Sequence, residues 1–224
     1  MNRPAQLKAV LFDMDGVLFN SMPYHSQAWH EAMEAHGLHL SREEAFLHEG
    51  RTGAATINIV YRLQYGVDAT PELIQQIYEE KCQAFARFPE PEPMPGAREL
   101  IEQIKAKGIQ TVLVTGSGQR TLLQRLEHHY PGAFDAAHMV TAFDVKYGKP
   151  HPEPYLMGLA KAGVAATEAI VVENAPIGVQ AAVAAGIYTI AVNTGPLDAQ
   201  VLLDAGADAL YPSMEALSKA FFLN

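Results

Sequence analysis

The chain has 224 residues and 49% hydrophobic content, enough for one sizeable domain or for a core domain with a small accessory one. Its 25 acidic residues outnumber 16 lysines and arginines, and the net charge of −9 without a basic run argues against nucleic acid as a partner. A single cysteine, Cys82, excludes an internal disulfide framework, and no apolar stretch reaches the ~18 residues that a membrane span needs.

The N-terminal apolar run is too short for a signal peptide and leads directly into acidic residues. A lone cysteine fits a reducing compartment, so the expected location is the cytoplasm. We expect a monomer that acts on a small molecule and has neither a nucleic-acid nor a membrane partner.

The first predicted element is a strand at residues 9–12 that stops at two acids, Asp13 and Asp15. A short, uninterrupted apolar run is typical of a strand covered on both faces. Residues two apart in an extended chain point to the same side, so both carboxylates leave the strand end together, and Gly16 lets the backbone turn away. Ligands bind at this end of open α/β sheets. One carboxylate could act as a nucleophile and the other could transfer a proton, with a divalent cation between them.

Residues 20–92 read as a helical insertion. Apolar residues recur at helical spacing between 22 and 88, Ser41 and Glu44 match a capping box, and Thr70 precedes a proline at a helix start. Four prolines within 89–95 indicate a stiff, extended connection. We therefore predict a core domain of residues 1–19 and 93–224, with a helical cap domain of residues 20–92 that can close over the strand ends.

From residue 96 onward, helical and strand patterns alternate. The predicted strands are 109–114, 138–141, 169–172, 188–192 and 209–210. The predicted helices are 97–107, 119–129, 153–162, 177–185 and a short piece at 201–203. This alternation predicts an α/β fold with a doubly wound, Rossmann-like parallel sheet, into which the cap is inserted after strand one.

The end of the second predicted strand carries Thr115, Gly116 and Ser117. Hydroxyl groups and glycine amides ahead of a helix form a seat for an anion. The same residues could also be an ordinary strand-to-helix turn with a hydroxyl cap.

Two later loops carry further polar residues. Lys149 is followed by two nearby prolines, which hold it in a fixed loop as a point charge suited to phosphate. Glu173 and Asn174 end another strand and supply the oxygen ligands that Mg²⁺ prefers. Each signal alone also fits a surface lysine or a helix cap, but all of them in this order indicate one site.

In this order the motifs resemble those of the haloacid dehalogenase-like hydrolase superfamily, and the place of the insertion resembles the β-phosphoglucomutase-like subfamily. The resemblance implies a covalent aspartyl-phosphate on Asp13, with Asp15 as general acid and base. The implied Mg²⁺ ligands are Asp13, Asp15, Glu173 and Asn174. The implied ligands of the transferred phosphoryl group are Thr115, Gly116, Ser117 and Lys149.

The chain departs from that subfamily at two places. Asn174 stands where a second acid is usual, and Glu49 and Gly53 stand where a β-phosphoglucomutase has a sugar-phosphate-binding Lys and Arg. Arg51 is near but out of register. Glu49 on a closing lid could return the missing charge to the metal, which leaves little room for a sugar. This pattern resembles the inorganic pyrophosphatases of the superfamily, so pyrophosphate is the preferred substrate.

His25 and Lys81 are candidate lid contacts for the leaving phosphate, although either could be a local structural group. The first alternative function is a sugar-phosphate phosphatase or β-phosphoglucomutase with the same strand-end chemistry. A phospho-accepting regulatory domain is an alternative of another class, but such domains lack a helical insertion after strand one. Intact acids and lysine argue against an inactive relative that only binds.

Overall fold

The computed structural model describes residues 1–118 and 122–223, without the side chains of residues 122 and 123. Six parallel strands in this part form one sheet. They are β1 (Ala9–Phe12), β2 (Gln110–Val114), β3 (Met139–Val140), β4 (Ala169–Glu173), β5 (Tyr188–Val192) and β6 (Ala209–Tyr211). The strand order β3-β2-β1-β4-β5-β6 puts β1 between β2 and β4, so the ends of these three strands lie side by side.

Helices cover both faces of the sheet. After β1 and the insertion they are α5 (Ala97–Ala106), α6 (Leu122–His129), α7 (Glu153–Ala162), α8 (Pro176–Ala184), α9 (Ala199–Asp204) and α10 (Met214–Ala220). Val10 and Phe12 of β1 pack on the face that α5 and α10 cover, whereas Ala9 and Leu11 pack towards α7 and α8. This alternation is the period of two expected of a strand buried on both faces. The predicted doubly wound α/β fold is therefore confirmed.

Four helices lie between β1 and α5. They are α1 (Met22–Ala35), α2 (Arg42–Leu47), α3 (Gly53–Tyr65) and α4 (Pro71–Phe85). They pack around an apolar cluster of their own that includes Met33, Leu38 and Ile57. The predicted capping box of Ser41 and Glu44 is present at α2, and residue 70 caps α4 through its hydroxyl group. We call residues 20–92 the insertion.

The two segments that join the insertion to the core run side by side. Asn20 N–H donates to Glu92 O at 2.9 Å, and Met94 N–H donates to Leu18 O at 2.8 Å. The points at which the chain enters and leaves the insertion are thus adjacent, which is consistent with the predicted boundaries at residues 19–20 and 92–93. The division into two domains remains a prediction.

Most differences from the predicted elements are small and local, but the pattern did not predict the last helix, α10. The helix predicted for 119–129 begins at Leu122 in the structure, and residues 119–121 lie outside the described part. The piece predicted at 201–203 is longer because the Asp198 side chain accepts from Gln200 N–H and so caps a helix that starts at Ala199. Among the described residues, no helix is both long and apolar enough to cross a bilayer.

Candidate active site

Asp13 directly follows β1 and is buried at the carboxyl end of the sheet. Its N–H donates to Val172 O at 3.1 Å, which continues the pairing with β4. Its Oδ1 accepts a hydrogen bond from Lys149 Nζ at 2.6 Å. Gly16 then turns the chain with φ +83°, and a Cβ at this position would lie 2.0 Å from Asn174 Nδ2. The turn and the close approach therefore both require glycine.

Lys149 is buried, and its ammonium group has three acceptors. Besides Asp13 these are Glu173 Oε1 at 2.7 Å and the main-chain oxygen of Val114 at 3.0 Å. Burial opposes the charged form, but Asp13 and Glu173 outweigh this effect and raise the pKa of Lys149. The lysine is thus held as a positive charge against the predicted nucleophile, where the prediction had placed it on the transferred phosphoryl group.

Glu173, the last residue of β4, is fully buried and accepts four hydrogen bonds. Oε1 accepts from Lys149 Nζ and from Tyr155 OH at 2.8 Å, and Oε2 accepts from the N–H groups of Asn174 at 2.9 Å and Ala175 at 3.1 Å. It could bind a metal only by giving up one of these bonds. The structure therefore makes Glu173 an anchor for Lys149, in contrast to the metal ligand predicted from the sequence.

The carboxylates of the site repel one another. Burial raises the pKa of Asp13 to about 8; Lys149 opposes the rise, and Glu173 and Asp15 add to it. Burial and the charge of Asp13 also raise the pKa of Glu49 well above its ordinary value. Buried acids that resist ionisation in this way favour a cation among them.

The donor atoms fit a hard cation such as Mg²⁺. Asn174 Oδ1 is buried and has no hydrogen-bond partner among the described residues, while Asn174 Nδ2 donates to Glu49 Oε1 at 3.0 Å. No three His, Cys, Asp or Glu side chains of the described chain are placed to hold a metal by themselves. The candidate ligand set is therefore mixed, with carboxylates of Asp13 and Glu49, the Asn174 amide oxygen and the main-chain carbonyl of Asp15.

Asp15 is tied to the insertion through α1 and α4. Its Oδ1 accepts from Ser21 Oγ at 2.6 Å and lies 3.2 Å from His25 Nε2, and His25 Nδ1 lies 2.9 Å from Lys81 Nζ. Burial acts to raise the pKa of Asp15, but His25 and Ser21 outweigh it and lower the pKa to about 2. His25 and Lys81 thus form a chain to Asp15 and also line the cavity, and their contact with the leaving phosphate stays a prediction.

Thr115, Gly116 and Ser117 continue β2 along the wall of the site, as the sequence predicted. Thr115 Oγ1 accepts from Ser117 N–H at 3.0 Å, which shapes a tight turn. A Cβ on Gly116 would lie 2.5 Å from Gly50 O of the insertion, so a larger residue would displace that loop. Binding of a phosphoryl group by these residues remains a prediction.

The insertion is closed over the core. Glu49, in the loop between α2 and α3, is only 7% exposed. Two further core glycines receive side chains of the insertion, because a Cβ on Gly148 would lie 2.8 Å from Thr52 Cγ2 and one on Gly195 would lie 3.2 Å from Phe46 Cδ1. Glu49 therefore reaches the core as a consequence of closure.

Two nitrogen atoms of the same loop lack partners. His48 Nδ1 and Arg51 Nε are buried without a hydrogen-bond partner in residues 1–118 and 122–223. Both side chains line the cavity beside Asp13. Arg51 is thus a half-buried guanidinium that lines the cavity, as expected of a substrate-binding residue.

The cavity measures about 60 Å³, counted as the space open to the centre of a water molecule, so it holds several waters when closed. Its lining comprises Asp13, Asp15, Met22, His25, Trp29, Ala45, His48, Glu49, Gly50, Arg51, Gly53, Tyr78, Lys81, Thr115, Gly116 and Ser117. Of the other residues predicted for the site, Lys149, Glu173 and Asn174 are buried beside this wall and do not line the cavity.

Sequence reasoning missed three residues of this site. Ser21 bonds to Asp15 although its position before α1 indicates only a helix cap. Tyr155 occupies an apolar position of α7, which gives no sign of its bond to Glu173. His48 ends α2 and has no motif around it. Burial beside Glu173 raises the pKa of Tyr155 well above its ordinary value, so the phenol stays a donor.

Comparisons with known proteins agree with this geometry. The sequence model of the haloacid dehalogenase-like hydrolases matches residues 7–186. The phosphorylated carbohydrates phosphatase of Thermotoga maritima is 34% identical over 95% of this chain and 97% of its own length. Hexitol phosphatase A of Escherichia coli is 32% identical over 94% of this chain and 93% of its own length. A solved structure from Bacteroides vulgatus, provisionally named a beta-phosphoglucomutase, has a TM-score of 0.95 and 59% identity over 97% of this chain and 88% of that one.

Proposed function

Because the chain belongs to the haloacid dehalogenase-like hydrolases, we propose that it hydrolyses a small phosphorylated substrate through an aspartyl-phosphate on Asp13. One observation carries this proposal. Asp13 lies on the wall of the cavity, its Oδ1 is 2.6 Å from Lys149 Nζ, and Asp15 lines the same cavity. A buried carboxylate backed by a fixed positive charge, beside a second carboxylate, is the arrangement that nucleophilic phosphoryl transfer needs.

In the first step an oxygen of Asp13 forms a bond to phosphorus, and the bond from phosphorus to the leaving oxygen breaks. Because its pKa is lowered to about 2, Asp15 is ionised and must first take up a proton from solvent before it can pass one to a leaving oxygen that requires it. In the second step a water molecule attacks phosphorus while Asp15 accepts its proton, and the phosphate departs with Asp13 restored. Ser21 and His25 both hold Oδ1 of Asp15, which orients the carboxylate for these proton transfers.

We propose Mg²⁺ as the cofactor, held by Asp13, Asn174, Glu49 and the main-chain carbonyl of Asp15. When bound, the ion would offset the negative charge of the acids and of the phosphoryl group. The partnerless Asn174 Oδ1 is the main support for this assignment. Thr115, Gly116 and Ser117 would surround the phosphoryl oxygens.

Inorganic pyrophosphate is the substrate that the insertion side of the site favours. Glu49 stands where a mutase would use a lysine. It accepts a hydrogen bond from Asn174 Nδ2, and this bond joins the insertion to a proposed metal ligand of the core. The small cavity suits a compact substrate, and His48 Nδ1 and Arg51 Nε, which have no hydrogen-bond partner among the described residues, suit a second phosphoryl group.

Phosphorylated sugars and polyols are the second candidate class. The names of the curated relatives favour this class over pyrophosphate, since they include phosphatases of phosphorylated carbohydrates and of hexitol phosphates. The name beta-phosphoglucomutase on the Bacteroides vulgatus structure points to the same class. A regulatory phospho-acceptor finds no counterpart among these names.

One assay separates the two classes. Phosphate release is measured with Mg²⁺ on pyrophosphate and on a panel of hexose, hexitol and glycerol phosphates, with Asp13→Asn as the inactive control. We expect kcat/KM for pyrophosphate to exceed the best organic phosphate by about tenfold or more. The reverse ranking would transfer the assignment to sugar phosphates, and release by Asp13→Asn equal to wild type would refute the mechanism.

A further inference from the structure

Tyr155 contacts both members of the buried charge pair behind the nucleophile. It lies in the first turn of α7 with no exposed surface, and its OH donates to Glu173 Oε1 at 2.8 Å. Lys149 Nζ donates to the same oxygen at 2.7 Å and lies 5.0 Å from the centre of the Tyr155 ring. Tyr155 is therefore close to the lysine and shares an acceptor oxygen with it, although Tyr155 does not line the cavity.

We propose that Tyr155 is a positioning residue that keeps Lys149 on the reacting centre. Two donors share one oxygen of Glu173, so each weakens the hold of that oxygen on the other. Without the phenol, Glu173 Oε1 would accept from Lys149 alone and bind it more strongly. The ammonium group would then be drawn away from Asp13, which is 2.6 Å from it on the other side.

The ring and the hydroxyl group of Tyr155 do separate work. The ring packs in the apolar cluster of β1, β2 and α7, a role that phenylalanine can fill. The hydroxyl group, in contrast, donates to the carboxylate of Glu173, which already accepts hydrogen bonds from three other donors. A residue needed for packing alone gains little from a buried hydroxyl, since burial of such a group is unfavourable unless it is bonded.

Tyr155→Phe tests this inference, which rests on the proposed reaction at Asp13. We expect kcat to fall about tenfold with KM nearly unchanged, because neither Tyr155 nor Glu173 lines the cavity. Tyr130→Phe is the matched control: Tyr130 is also buried, and its OH donates to the main-chain oxygen of Leu18. Both variants should unfold at similar temperatures, but only Tyr155→Phe should lose kcat. Equal kcat values in the two variants would overturn the inference.

A double-mutant cycle identifies the path of the effect. If Tyr155 acts through the carboxylate, Tyr155→Phe should change kcat less than twofold in a Glu173→Gln background, because glutamine presents no second anionic oxygen to the lysine. Additive losses would show a structural role and contradict the proposal. Should the double variant not fold, the comparison of the two single Tyr→Phe variants decides. A wild-type enzyme that releases no phosphate from any substrate would refute the proposed function instead.

Discussion

The two walls of the cavity differ in how their charges are held. On the core side, Lys149 is buried behind the wall and donates to Asp13 at 2.6 Å and to Glu173 at 2.7 Å, and these two acids lie at the ends of the neighbouring strands β1 and β4. On the wall from the insertion, Glu49 has one side-chain donor, and Arg51 Nε has no partner in the described chain. Charged groups that are held by several hydrogen bonds suit the reaction that a family shares. Groups with few hydrogen-bond partners remain available to bind the substrate and so to determine specificity.

The strongest test of this division is the core nucleophile. Asp13→Asn should lower kcat by about 10³-fold or more on every substrate, because an amide at this position cannot form the aspartyl-phosphate. Steady-state kinetics on pyrophosphate and on the best organic phosphate measures the loss. The loss should be the same for both, and a kcat within tenfold of wild type would remove Asp13 from the mechanism.

Glu49 on the opposite wall should discriminate between substrates. Glu49→Ala should lower pyrophosphate turnover by ~10²-fold, because a charged contact made only in the closed state is lost. Organic phosphates too large for full closure should lose much less. Glu43→Ala, an exposed acid of the neighbouring α2, is the control. An equal, small loss of turnover on both substrates would show that Glu49 takes no part in catalysis and would favour the sugar-phosphate assignment.

Arg51 should affect binding more than chemistry. Arg51→Gln removes a guanidinium that faces the cavity, so KM for pyrophosphate should rise about tenfold with kcat largely kept. A phosphomonoester without a second anionic group should show little change. Arg62→Gln, which loses only an exposed pair with Asp68, serves as the control. A matching rise in KM for both kinds of substrate would speak against recognition of a second phosphoryl group.

The last prediction concerns metal binding by groups of both walls together. With a pKa of about 8, Asp13 holds a proton near neutral pH when no metal is bound, and burial together with Asp13 shifts the pKa of Glu49 in the same direction. Mg²⁺ binding must displace any proton that these acids hold, so affinity should rise from pH 6 to pH 8, by up to about tenfold per pH unit for each proton displaced. Calorimetry in two buffers of different ionisation enthalpy counts the protons, and an affinity independent of pH in this range would exclude a ligand set of these two acids.

The sequence predicted the core wall better than the wall from the insertion. Asp13, Thr115 and Glu173 follow buried strands, and a parallel sheet brings strand ends together whatever the details of packing. Strand position therefore locates a residue in three dimensions. It does not choose the partners of a side chain, so the burial of Glu173 under four donors and the bond from Tyr155 could not be foreseen.

Prediction of the insertion was limited for a related reason. Its caps at Ser41 and Thr70 depend on neighbouring residues alone, and both are confirmed. The positions of His25 and Lys81 depend on how α1 and α4 pack against the core, and the bond between them spans 56 residues of sequence. Helical periodicity identifies a buried face but gives no information about which charged groups meet across it.

The paired segments that join the insertion to the core also bear on how the chain folds. β1 must find β2, and Phe12 pairs with Leu113 across about a hundred residues. If the insertion forms first, the contacts of Leu18 with Met94 and of Asn20 with Glu92 bring the two ends of that long loop together. Each doubling of a loop adds about 0.6 kcal/mol to its closure, so a roughly fourfold shorter effective loop saves about 1.2 kcal/mol. A segment that covers the finished site would thus also speed the pairing of the central strands.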